Sequence, residues 1–438
     1  MQLQSHVLAP LAALAAFAPL AAADCQLSSD GNYYCAQTSN VVYSNVGFAG
    51  SYLDTTSMDE SSCACVQGSS TTFSGSLAPL DEELSVHFRG PLNLKQFGVY
   101  YPASGSALRK RDNADAPCEE TVATKPQHKH RRDVAVEYVE VTSTVWVDAN
   151  GNVVNGEAAA AATSYTQVNT VVASATNGAA TTGAATTAST AAAAAATTGS
   201  SSVSSGDWVR SSYFTPGSAS NCTFMNHMGG TAGSGVWSSC FGNSISYAAA
   251  DGVSGAGSAY ALDDITLKSG QEYMIFSGTE CANGDCGYFR ENIPAYHGFA
   301  GQSKIFVFEF QMPSDTAGTG YNQDMPAIWL LNAKIPRTLQ YGNADCSCWE
   351  SGCGEMDLFE ILSSGSDKLI SHVHDGQGGG SQDYFQRPVD GTMKAAVIFN
   401  GADKTIHVME VTDDFGSTLS ADTVSGWLSQ AGSSAALP

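Results

Sequence analysis

The run Gly352-Cys-Gly-Glu-Met-Asp-Leu-Phe-Glu-Ile-Leu362 sets three carboxylates, Glu355, Asp357 and Glu360, among residues that otherwise belong in a core. Met356, Leu358, Phe359, Ile361 and Leu362 predict a buried strand. On a regular strand Glu355 and Asp357 share a face, while Glu360, an odd number of residues from both, points the other way. A single β-bulge between Asp357 and Glu360 reverses that parity and sets all three on one face, and bulges are enriched beside active sites. The outer two Cα atoms then lie about 13 Å apart at about 3.3 Å per residue. Glutamates leaning inward bring their carboxyls to about 5 Å, which suits double displacement at a glycosidic bond. In that chemistry one carboxylate attacks the anomeric carbon and the other protonates the leaving oxygen, then activates water. The third can hydrogen-bond the nucleophile. Unpaired carboxylates on a buried strand are costly, which favours catalysis over a solvated face or a calcium site.

Strand signals surround this run. In Lys304-Ile-Phe-Val-Phe-Glu-Phe310 a period of two places Phe306, Phe308 and Phe310 on one face and Ile305, Val307 and Glu309 on the other. Ala395–Phe399 and Thr405–Val411 read similarly and are joined by Asn400-Gly-Ala-Asp-Lys404, which has turn chemistry. Many short strands and almost no helical stretch predict an all-β chain with a β-sandwich over 207–438. Trp427 and the Phe306/Phe308/Phe310 stripe read as core.

Composition divides the 438 residues further. Residues 1–23 resemble a secretory signal ending at Ala21-Ala22-Ala23, although no Lys or Arg precedes the apolar run. Residues 24–105 read as a small β-rich, glycine-rich module, in which Pro and Gly punctuate strand-like runs. Residues 106–156 carry the dibasic steps Lys110-Arg111 and Arg131-Arg132, which resemble processing sites and read equally as a solvated charge cluster. Residues 157–206 are mostly Ala, Thr, Ser and Gly, a linker that cannot bury a core. No later segment has the length and hydrophobicity of a membrane span, so no membrane insertion is expected after signal removal.

A formal charge of −23, from 42 acidic and 19 basic residues, disfavours nucleic acid or anionic lipid as a partner and leaves a neutral polysaccharide compatible. The twelve cysteines all follow the signal and point to disulfides rather than zinc. Four precede Cys118 and seven follow it, so Cys118 is expected to pair with one of the seven and to tether the processed pieces. Asn221-Cys222-Thr223 is a glycosylation sequon. The pair His372-x-His374 lacks a third metal ligand, which favours a supporting or substrate-contacting role. Neither a metal nor any other cofactor is called for.

The carboxylate run is similar to the E-x-D-x-x-E signature of glycoside hydrolase family 16, the laminarinase-like enzymes built on a concanavalin-type jelly roll. Met325-Pro-Ala-Ile-Trp-Leu-Leu331 resembles the strand that precedes the signature in that family, and Ser371-His-Val-His374 the strand that follows it. The resemblance implies Glu355 as nucleophile, Asp357 as assistant and Glu360 as acid/base. Trp329 and Trp349 are candidates for stacking on sugar faces, and His374 for a place near the cleft. Residues 73–102 look like the N-terminal module of the fungal Tos-type (target-of-SBF) cell-wall glycosidases, and the likeness spans about 25–105 and 207–438. It implies a secreted wall enzyme acting on β-1,3-glucan, by hydrolysis or by transfer. A non-catalytic glucan-binding wall protein is the alternative, and a purely structural mannoprotein a third.

Overall fold

A computed structural model describes residues 25–27, 32–103, 146–147, 153–154 and 206–437. The signal segment, both dibasic steps, Cys118 and almost all of the linker lie outside the described residues. The chain divides into two units, 1–132 with 203–438, and 133–202. In the second, the described part is the antiparallel pairing of Trp146–Val147 with Val153–Val154.

The first unit is built on two large sheets, antiparallel throughout except at one edge. One runs Ser218–Ser220, Trp208–Thr215, Asn93–Pro102, Ser303–Gln311, Met393–Asn400, Thr405–Glu410, Asn40–Ser44 and Ser433–Ala436, the last pair parallel. The other, the site sheet, runs Gly255–Ala256, Ser246–Ala248, Cys222–Asn226, Glu272–Ser277, Leu84–Arg89, Ala327–Asn332, Glu355–Glu360, Lys368–His374 and Gly379–Gly380. The N-terminal segment is β-rich as its composition suggests, and its strands sit inside both sheets. Asn93–Pro102 lies between Trp208–Thr215 and Ser303–Gln311, and Leu84–Arg89 between Glu272–Ser277 and Ala327–Asn332. The division of the sequence near 105 and 207 is therefore one of composition, and the sheets run across it.

The core between the sheets follows the period-two pattern. Phe306, Phe308 and Phe310 meet Phe97, Phe88, Phe359 and Ile328 there, each buried Phe contributing roughly 1.5–3 kcal/mol. The opposite face of Ser303–Gln311, with Ile305 and Val307, is covered by Val424 and Trp427. These two belong to helix Ala421–Leu428, whose N-cap Ser420 accepts from the Thr423 amide. The turn at 400–404 closes the hairpin with Asn400 opposite Thr405, and Lys404 takes the left-handed conformation at φ 54°. Buried Lys304 donates to the carbonyls of Leu80, Glu82 and Phe299, fastening the turn before Leu84 to the first sheet. Among the described residues no helix is long and apolar enough to cross a membrane.

A separate hairpin, Gly50–Asp59 with Ala64–Phe73, packs on the outer face of the site sheet. Its Tyr52 and Phe73 join Trp329, Leu331, Cys348 and Cys353 in one apolar cluster. Disulfides Cys63–Cys240 and Cys65–Cys346 fix its tip, and Cys25–Cys35, Cys281–Cys286 and Cys348–Cys353 close shorter loops.

Candidate active site

The strand Glu355–Glu360 carries the bulge. Against Ala327–Asn332, Leu331 pairs Glu355 and Trp329 pairs Asp357, and the register then shifts so that Ile328 pairs Phe359 and Ala327 pairs Glu360. The other neighbour shifts at the same place, with His372 opposite Asp357 and Ile370 opposite Glu360. Directly opposed residues share a face, so the three carboxylates lie on the side of Ala327, Trp329 and Leu331, away from the core. The extra residue explains why Leu358 and Phe359, neighbours in sequence, are both in the central core.

All three carboxylates are buried, and each meets a different donor. The Trp349 indole N–H donates to Glu355 Oε2. His374 Nε2 lies 3.1 Å from Asp357 Oδ2, and the His372 ring stacks on His374 with centroids 4.6 Å apart. Arg89 donates to Glu360 Oε1 at 3.0 Å, while its Nε donates to the Met325 carbonyl. The Arg89 guanidinium is held above its usual range: burial opposes its charge, but Glu360, then Glu272 and Tyr341, outweigh that cost. Glu272 in turn accepts from the Tyr341 hydroxyl at 2.7 Å. A neutral N–H, an imidazole and a fixed cation thus face three neighbouring carboxylates, an arrangement that gives them unequal electrostatic environments.

The structure brings all six residues singled out in the sequence to this patch. Trp329 is 3% exposed, stacked on His87 with centroids 5.1 Å apart and packed in one apolar cluster with Tyr52 and Phe73. Its Nε1 has no hydrogen-bond partner among the described residues. Trp349 is half-buried. Asp375, beside His374, has its carboxyl pushed up to about 6 by burial, against the amides of Gly378 and Gln377. Sequence reading missed Arg89 and His87. Their signal was the alternation of Leu84, Val86 and Phe88 with Ser85, His87 and Arg89, which gives one face of a strand entirely to polar groups.

Outside this patch, Cys281, Asp285, Cys286 and His297 have donor atoms within 4.8 Å of one another. The two sulfurs are joined as a disulfide, which leaves neither a thiolate for a metal.

Comparison with known proteins places the chain. The family described as cell wall protein YJL171C/Tos1, C-terminal, matches residues 206–427, and the corresponding N-terminal family matches 39–102. A Saccharomyces cerevisiae protein named "probable circularly permuted 1,3-beta-glucanase TOS1" is 65% identical over 435 residues, 95% of each chain. A Candida albicans protein of the same name is 53% identical over 471 residues, 98% of each chain. A Schizosaccharomyces pombe relative, also named a probable circularly permuted 1,3-beta-glucanase, is 43% identical across 94% of this chain and 95% of its own. No solved structure matches the chain. With both segments matched in order and relatives aligned almost end to end, the chain belongs to the YJL171C/Tos1 cell wall protein family.

Proposed function

We propose that this protein is a secreted glycosidase of the fungal cell wall that cleaves β-1,3-glucan with retention of configuration. The observation that carries the reading is the bulge, which gathers Glu355, Asp357 and Glu360 on one face with three different donors. Glu360, which rests as the carboxylate partner of Arg89, first takes up a proton from solvent; Glu355 then attacks the anomeric carbon while Glu360 delivers that proton to the departing glycosidic oxygen, leaving a glycosyl ester on Glu355. Glu360 then takes a proton from water or from a sugar hydroxyl, whose oxygen displaces Glu355 and regenerates both carboxyl groups. Water gives hydrolysis and a sugar gives transfer. Asp357, held by His374, orients the nucleophile, and Arg89 fixes Glu360.

The relatives' names supply the substrate class, and the wall location follows from the family. Strands from residues 84–102 fill places between strands of the C-terminal segment, so both parts of the chain build the sheet that carries the carboxylates. The 1–23 signal and the processing of 106–156 belong to the same proposal.

The test is incubation of the purified chain with laminarin, following reducing ends and chain lengths, beside Glu355→Gln and Glu360→Gln variants. The native chain is expected to turn the glucan over, with both variants slower by at least about a hundredfold. No turnover by the native chain, with glucan binding unchanged in both variants, would establish a lectin instead.

A further inference from the structure

The bulge interrupts the ladder between Glu355–Glu360 and Lys368–His374, where Asp357 pairs His372 and Glu360 pairs Ile370. Ser371, between those two partners, faces the interruption. Its Oγ donates to the Asp357 carbonyl oxygen at 2.8 Å and accepts from the Tyr43 hydroxyl at 2.9 Å. Tyr43 lies on Asn40–Ser44 of the opposite sheet, so this chain of hydrogen bonds crosses the core. Both side chains are fully inaccessible. Burial holds the Tyr43 hydroxyl far above its ordinary range, so it remains a donor at any working pH.

Hydroxyls in an apolar core add little stability over well-packed apolar residues of the same shape. These two act instead at the one point where the ladder is irregular. In an unbulged register Leu358 would take its place in the pairing and Glu360 would turn toward the core. A bulge disrupts the ladder locally, and Ser371 adds a side-chain donor to the Asp357 carbonyl beside that interruption.

We propose that Tyr43 and Ser371 are positioning residues, a buried clamp that holds the bulge and so keeps Glu360 on the face of Glu355 and Asp357. The inference rests on the reading of these carboxylates as catalytic, and it gives the N-terminal segment a part in the site beyond Arg89.

The test compares Ser371→Ala, Tyr43→Phe and the double variant in the full-length chain on laminarin. Ile305→Val, on the far face of the first sheet, serves as a stability control. Ser371→Ala is expected to lower kcat roughly 10- to 100-fold, with KM changed by less than about twofold. Tyr43→Phe should lose several-fold, and the double variant should be no slower than Ser371→Ala, because the two act as a unit. Hydrogen exchange over 355–361 gives a readout independent of turnover, and should be faster in Ser371→Ala than in Ile305→Val. Native kcat and native exchange in folded Ser371→Ala, or losses that multiply in the double variant, overturn the clamp. Should Ser371→Ala fail to fold, Tyr43→Phe carries the same two readouts. A fully active Glu355→Gln in the same assay would instead overturn the catalytic reading and leave the exchange result to judge the clamp.

Discussion

Replacing Arg89 with methionine takes the positive partner from Glu360 while keeping most of the side chain's volume. The pair is separated by 3.0 Å, with side-chain exposures of 12% and 7%. Removing one member of a buried pair costs about 3–5 kcal/mol, because the other charge is left uncompensated. The residual exposure sets the expectation near the lower end, about 3 kcal/mol. Adding Glu360→Gln to Arg89→Met removes the stranded charge and should restore about 2 kcal/mol. Thermal unfolding at one fixed scan rate is the assay, since a disulfide-bonded chain of this size can unfold irreversibly. At about 2 °C per kcal/mol for a large domain, Arg89→Met should melt about 6 °C below the native chain and the double variant about 4 °C above the single. A single variant within about 1 °C of native, or a double variant no more stable than the single, would refute the claim that Arg89 and Glu360 hold each other.

The Asp375 carboxyl, raised from 3.8 to about 6, binds its proton more tightly in the folded chain, so its contribution is complete below pH 3.8 and lost as pH rises through 6. Asp375→Asn should therefore raise the melting temperature at pH 7, by at most about 3 kcal/mol of stability, and leave it unchanged near pH 3; equal gains at both pH values would count against burial as the cause. Replacing Cys65 and Cys346 by serine opens a link spanning 281 residues and should cost about 2–4 kcal/mol, with faster hydrogen exchange in Gly50–Asp59 and Ala64–Phe73; unchanged melting would mean that the second disulfide holds the hairpin alone. Ten of the twelve cysteines are paired, Cys222 is free among the described residues and Cys118 lies outside them. A non-reducing peptide map should recover Cys118 joined to Cys222, and a free thiol at both positions would defeat that pairing.

The carboxylate strand was legible because its own spacing required an irregularity: three acidic residues at an odd offset cannot share a face without a bulge, and the bulge lies where that parity places it. The Phe306, Phe308 and Phe310 stripe and the turn at 400–404 were legible for the same kind of local reason. Strand partnership was not. Period-two patterning marks Phe97, Val99 and Tyr101 as one apolar face of Asn93–Pro102, but nothing local tells of the register shift that brings Leu94 to the same face, or that the strand lies between two strands from beyond residue 207. Arg89 was missed on that account, since it meets Glu360 across 271 residues of sequence. Trp349 was chosen for its ring, and the structure adds its N–H bond to Glu355, which depends on the loop closed by Cys348–Cys353.

Retention through Glu355 requires that its carboxylate become covalently attached to sugar. A 2-deoxy-2-fluoro laminaribiosyl fluoride slows the second step more than the first and so accumulates the glycosyl-enzyme, which peptide mapping by mass spectrometry can locate. One added disaccharide is expected on the peptide containing Glu355, and none in Glu355→Gln. Label on another residue, or laminarin turnover that persists in Glu355→Gln, would contradict it.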